Sequence, residues 1–152
     1  MSMRRRSPPH LAARMEGNPV RQERVLEGFQ RLCKAYDYVT MEGSGGILCP
    51  ISLERNPLWL PDIIRSMGLG CLIVADAGLG AINSVALTAF YMQQSQIPLR
   101  GIIFNHFIPG NEMQEDNMAV CQQVTGARVV ACVKDGDDEL DIPLERLLSL
   151  YQ

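Results

Sequence analysis

Lysine is almost missing from this chain: Lys34 and Lys134 stand against twelve arginines in 152 residues. Neither lysine follows a glycine, so no G-x-x-x-x-G-K-[ST] phosphate-binding loop occurs in the sequence. Histidine is equally scarce. His10 and His106 are the two present, with no cysteine or second histidine at ligand spacing, which argues against a zinc centre. A G-x-S-x-G elbow is absent, and two distant histidines give a Ser-His-Asp arrangement little to draw on. No apolar run is long enough to cross a bilayer, and a net charge of −3 supplies no electrostatic reason for binding nucleic acid. The five cysteines (Cys33, Cys49, Cys71, Cys121, Cys132) are odd in number, form no C-x-x-C pair and lie mostly inside hydrophobic runs. They read as reduced, buried, small apolar residues of a cytosolic protein.

What is present is ordinary globular material, 47% apolar and 20% charged, of a length that suits one domain with a proper core. Residues 1–18 read as an extended or frayed start, with Pro8 and Pro9 interrupting any amphipathic helix, and residues 19–152 as a single α/β domain. Val25, Leu26, Phe29, Leu32 and Cys33 recur at helical spacing within Pro19 to Ala35. Tyr36, Tyr38, Val39 and Met41 suit a buried strand that ends at Glu42. A second helix begins near Pro61 and stops at Gly68. Cys71 to Ala75 has the unbroken apolar pattern of a strand covered on both faces. Helix follows from about Gly80 to Gln94, strand from Ile97 to Phe104, helix from Glu112 to Val124 with Gly126 as its stop, strand from Ala127 to Val133, and a closing helix from Pro143 to Leu150. Four strands separated by helices predict an α/β fold, a mostly parallel sheet with flanking helices.

Every segment that resembles chemistry then follows a strand, on the carboxyl edge where open parallel sheets bind ligands. Glu42 leads into Gly43, Ser44, Gly45 and Gly46, a loop whose amides an anion can approach closely, so it reads as a metal or phosphate corner. Within Asp76 to Asn83, the stretch Gly78 to Asn83 (GLGAIN) resembles the dinucleotide fingerprint G-x-G-x-x-G with asparagine in its last position. No Asp or Glu lies between Ala77 and Asn111, however, which removes the ribose-binding carboxylate and argues against NAD. Two readings remain: the glycines permit a tight turn, or the amides of Gly80, Ala81, Ile82 and Asn83 at a helix start hold an anion such as a carboxylate. Asn105, His106 and Lys134 to Gly136 occupy the same edge. The acidic DGDDELD run lacks the glycine placement and final glutamate of a calcium loop and reads as solvated surface.

With these segments set out, the chain resembles the dethiobiotin synthase family. The resemblance is carried by SPPHLAA at Ser7 to Ala13, YDYVTMEGSGGILCPI at Tyr36 to Ile51, LIVADAGLGAINSVALT at Leu72 to Thr88 and IPLRGIIFNH at Ile97 to His106. It implies a P-loop-NTPase-like fold, represented incompletely here by about four strands, and a homodimer. The implied reaction is the ATP- and Mg2+-dependent carboxylation of 7,8-diaminononanoate with closure of a cyclic urea, in the cytoplasm. By motif, Glu42 corresponds to a carboxylate ligand of Mg2+, Gly43, Ser44 and Gly45 to backbone lining the nucleotide site, and Asn105 to the residue that reads the adenine edge. Gly80, Ala81, Ile82 and Asn83 correspond to the helix start that takes the substrate carboxylate across the dimer interface. Lys134, Asp135 and Gly136 fall where the family has a proline-containing loop beside the adenine, and depart from it.

The resemblance also places the first residue about a third of the way along the family pattern, before which the phosphate loop and the family lysines would lie. No catalytic residue is therefore expected in this chain, and turnover is expected to require a separate polypeptide that carries the phosphate loop. Two other readings remain open: a non-catalytic dimerisation or ligand-binding module, and a different P-loop amide synthase or ParA-like ATPase relative.

Overall fold

The computed structural model describes residues 7–43 and 45–151. Contacts gather the chain into two compact units, Met1–Gly68 and Leu69–Gln152.

In the first unit, the segment read as an extended start contains helix α1, Pro9–Met15, with proline in its first turn, where a missing N–H costs no hydrogen bond. Helix α2, Gln22–Ala35, places Val25, Leu26 and Phe29 on its half-buried side as their spacing predicts, though none of its residues is fully buried. Strands β1, Pro50–Ser52, and β2, Leu58–Trp59, form a small antiparallel pair. Helix α3, Leu60–Met67, follows at once. The Asp62 carboxylate accepts from the Trp59 amide at 3.0 Å at its start, and Gly68, at φ +65°, closes it in the left-handed conformation that glycine adopts without strain. Its buried Leu60, Pro61, Ile63 and Ile64 join Ile51 and Leu58 as the apolar centre of this unit.

The strand expected at Tyr36 to Met41 does not form: the segment lies outside both sheets. Tyr36 and Tyr38 are 64% and 56% exposed. Aromatic and branched residues favour a strand through packing on a half-buried pleated surface, and propensity alone does not supply a partner strand.

The second unit is a βαβαβ series. Strands β3 (Cys71–Asp76), β4 (Leu99–Asn105) and β5 (Val129–Cys132) pair in parallel in the order β3-β4-β5. Helices α4, Ala81–Gln94, and α5, Glu112–Thr125, make the crossovers and pack on each other. The sheet thus has three parallel strands, not four. Central β4 is the most enclosed, with Ile102 and Phe104 essentially inaccessible. A Cβ on Gly101 would lie 2.6 Å from Val130 Cγ1, so a side chain there would collide with the neighbouring strand.

Val85, Met92, Cys121, Val130 and Ala131 complete the core beneath. Strand β3 departs from its expected cover on both faces: Ile73 is buried, but Val74 is 66% exposed. An unbroken apolar run permits two-sided cover without requiring it. Helix α6, Leu144–Ser149, ends the described chain with no residue fully buried. None of the cysteines is in a disulfide; Cys121 is buried as expected, while Cys33 is exposed.

Candidate functional site

The carboxyl ends of β3, β4 and β5 stand side by side, with Asp76 in register with Asn105 and Phe104 with Cys132. Ala77 N–H donates to the Asn105 carbonyl at 2.9 Å, and Phe107 N–H to the Val133 carbonyl at 2.8 Å, so the ladder runs past the last strand residues into the loops. Parallel pairing therefore brings Asp76, Asn105, His106 and the Lys134–Gly136 turn to one edge, as the pattern of strands and polar ends predicts.

Within this edge an ion pair links two strand ends. Asp76 Oδ2 lies 2.7 Å from His106 Nδ1, while Asp76 Oδ1 accepts from the Gly78 amide at 2.8 Å. On its other side His106 Nε2 lies 3.5 Å from Asn105 Nδ2 and 3.7 Å from Asp135 Oδ1. The hydrogen bond to Asp76 holds the His106 imidazole above its ordinary pKa, and the same bond, with the Gly78 amide, holds the Asp76 carboxyl below its own. Both side chains are exposed, so solvent screens the pair and its worth to stability is small.

His106 has φ +54°, an unusual backbone for a side chain larger than asparagine. Buried Gln114 holds that backbone: its Oε1 accepts from the Ile108 amide at 2.6 Å and its Nε2 donates to the His106 carbonyl at 3.3 Å. A cleft of about 190 Å³ opens here, lined by His106, Phe107, Ile108, Pro109, Lys134 and Asp135. The Lys134–Gly136 turn closes on itself, with the Lys134 amide donating to Asp137 Oδ2 at 2.9 Å and Gly136 at φ +87°. A larger hollow of about 450 Å³ lies at the opposite ends of the strands, between Ile97, Leu99 and the end of α5, and has no titratable lining residue.

At the start of α4, Gly80 takes φ +92° and no side chain caps the helix. Gly80 and Asn83 are exposed and Ile82 is half-buried. Ala81 differs from the expectation of a free amide: it is buried, and its N–H donates to the Gly78 carbonyl at 3.2 Å, because the turn itself uses that donor. Buried Asn117 pins this turn to α5, its Nδ2 donating to the carbonyls of Ala77 at 3.0 Å and Gly78 at 3.1 Å. Sequence reasoning missed Asn117 and Gln114. Their signal was position: with Cys121 they occupy one stripe of α5, where apolar residues would ordinarily sit.

Glu42, Gly43 and Gly45 belong to the first unit, and Ser44 lies outside the described residues. Glu42 is exposed, on an irregular stretch rather than at a strand end. A Cβ on Gly43 would come within 2.9 Å of Leu60 Cδ2, and Gly45 has φ +82° with Cys49 Sγ at 3.2 Å from its Cβ position. Gly45 is required by its left-handed backbone, while a side chain at Gly43 would press on the flexible end of Leu60. Among the described residues no three histidine, cysteine, aspartate or glutamate side chains gather as a metal cage. Mg2+ asks for less, one or two carboxylates completed by water and phosphate oxygens, and an exposed Glu42 fits that donor set.

Residues 2–138 match the AAA domain family AAA_26. The chain is 42% identical over 134 residues to the ATP-dependent dethiobiotin synthetase of Brachyspira hyodysenteriae, covering 88% of this chain and 61% of the relative. It is 37% and 34% identical to the enzymes of that name from the Loch Maree and Alaska E43 strains of Clostridium botulinum. Those matches cover 95% and 94% of this chain and 63% of each relative. The chain thus spans about three fifths of the length of the curated relatives it matches. No helix among the described residues is long and apolar enough to cross a membrane.

Proposed function

Because the chain belongs to the AAA domain family and, within it, to the dethiobiotin synthetases, we propose that it carries the base-reading and substrate-carboxylate sides of a dethiobiotin synthetase site in biotin synthesis. The observation that carries the reading is the shared edge of β3, β4 and β5, where an uncapped helix start and the cleft lined by His106 and Lys134 lie on one small parallel sheet.

In this reading the amides at the start of α4, at Gly80, Ile82 and Asn83, take the carboxylate of 7,8-diaminononanoate. Favourable backbone dipoles there are worth about 0.3–2 kcal/mol each. Asn117 keeps them aimed by fixing the preceding turn. Asn105 offers one donor and one acceptor to the adenine edge of ATP, and the Lys134–Gly136 turn, whose Lys134 and Asp135 line the cleft next to His106, flanks the base. Glu42, with Gly43, Ser44 and Gly45 beside it, serves as a carboxylate ligand for Mg2+. The metal, when bound, supplies neutralisation of phosphate charge. These residues contribute no lysine to phosphoryl or carbamate chemistry, so turnover depends on a phosphate loop outside them, and the working form is a homodimer. The protein acts in the cytoplasm.

Separate calorimetric titrations of the chain with diaminononanoate and with MgATP test this reading. Binding of both, each weakened by substitutions at its own end of the edge, supports it. Binding of diaminononanoate with no contribution to turnover in any mixture favours a ligand-binding module. Binding of neither contradicts both readings.

A further inference from the structure

The His106 ring has three polar neighbours, one from each of the three strand ends, and their roles follow from which nitrogen carries the proton. The Asp76 carboxylate at 2.7 Å accepts only, so Nδ1 is the donor in either charge state. In the neutral ring Nε2 is then a lone pair. It faces Asn105 Nδ2 at 3.5 Å, where it accepts one of the two amide hydrogens. Asn105 is left with one N–H and its carbonyl oxygen, a donor beside an acceptor, which matches the amino group and ring nitrogen of adenine. In the charged ring Nε2 becomes a donor and the amide N–H can no longer point at it. The amide turns its oxygen toward Nε2–H, or Nε2–H is drawn to Asp135 Oδ1 at 3.7 Å and releases the amide. A turned Asn105 shows two N–H donors outward, which matches the paired acceptors O6 and N7 of guanine instead.

We propose that His106, steered by Asp76, is a positioning residue that sets which way Asn105 presents its amide, so that preference for adenine over guanine depends on the charge of one imidazole. The inference rests on the reading of Asn105 as the base-recognising residue. The charged groups facing the ring are Asp76 from β3 and Asp135 from the turn after β5; Lys134, which lines the same cleft, is 3.8 Å from Asp137. Both aspartates favour the imidazolium, which moves the change to a pH above the ordinary imidazole range. Adenine preference therefore strengthens as pH rises through the His106 transition.

Adenosine and guanosine probe base recognition without a phosphate loop, and weak binding is read from amide shifts in NMR titrations of the whole chain. Between about pH 5.5 and pH 9 the adenosine-to-guanosine affinity ratio is expected to rise about fivefold or more, the lower end of what one bidentate base contact discriminates. His106→Gln, whose side-chain oxygen accepts from Asn105 at every pH, should flatten the ratio at its high-pH value. Asp76→Asn should move the midpoint to lower pH, a shift that a merely structural role would not produce. A wild-type ratio that ignores pH while adenosine binds overturns this inference alone, as does an unmoved midpoint in Asp76→Asn. Binding of neither nucleoside overturns the base-reading role of Asn105 and this inference with it.

Discussion

Replacing Asn117 by alanine removes the two donors that hold the strand-to-helix turn before α4. The Ala77 carbonyl they serve is in a residue only 1% exposed, so water cannot readily take over. A buried carbonyl left without its partner costs about 1–3 kcal/mol. The Gly78 carbonyl is half-buried and adds less. The sum is about 2–3 kcal/mol, or about 4–12 °C in melting temperature for a chain of this size. Asn117→Asp is the sharper control. It keeps the volume but sets a carboxylate against two carbonyl oxygens, and the loss should exceed that of alanine at neutral pH. Urea denaturation gives the magnitude, and hydrogen exchange of the amides from Ala77 to Asn83 gives the location. A loss below about 0.5 kcal/mol in Asn117→Ala, or equal stability of Asn117→Asp and wild type, would refute the reasoning. So would unchanged exchange at the turn.

Three further outcomes follow from other parts of the molecule. His106 has its pKa raised in the folded state, so its stabilisation is fully present below the unfolded imidazole value near 6.5 and is lost as pH rises through the folded value; Asp76, with its pKa lowered, contributes above its unfolded value of 3.8 and loses that as pH falls through the folded one. The stability difference between wild type and Asp76→Asn, measured by urea midpoint, should therefore be largest in weakly acidic solution and shrink toward high pH. Gly101→Ala should destabilise by about 1–3 kcal/mol, since its Cβ would meet Val130 Cγ1 at 2.6 Å, and Val130→Ala in the same chain should recover part of that loss. Phe104→Ala, at a residue 1% exposed on the central strand, should cost about 3–5 kcal/mol in the same denaturation assay.

Much of the second unit was legible because its signals are local and agree with one another. Apolar runs bounded by glycine or polar residues gave β3, β4 and β5, and Gly126 stops α5 where its lack of a Cβ permits the left-handed turn. Alternation of strand and helix then placed Asn105, His106 and Lys134 to Gly136 on one edge before any distance was known. The strand at Tyr36 to Met41 was not legible, since a strand needs a neighbour and residue propensity describes only the surface on offer. The exposure of Val74 is a similar case: composition permits burial, and packing decides it. Asn117 and Gln114 escaped because a polar residue inside a helix ordinarily means solvent. Only the fold shows that they face the loops and satisfy the backbone there. The Asp76–His106 pair, 30 residues apart, depends on strand register and had no sequence signal beyond the charge of each.

The central claim is that this chain supplies one side of a dethiobiotin synthetase site whose phosphate loop lies outside these residues. The direct measurement mixes the chain with a polypeptide bearing the G-x-x-x-x-G-K-[ST] segment of a dethiobiotin synthase and follows ADP release with and without 7,8-diaminononanoate. Release that requires both polypeptides and the diamine is the predicted result. Absence of ADP release together with absence of association between the two would contradict the account.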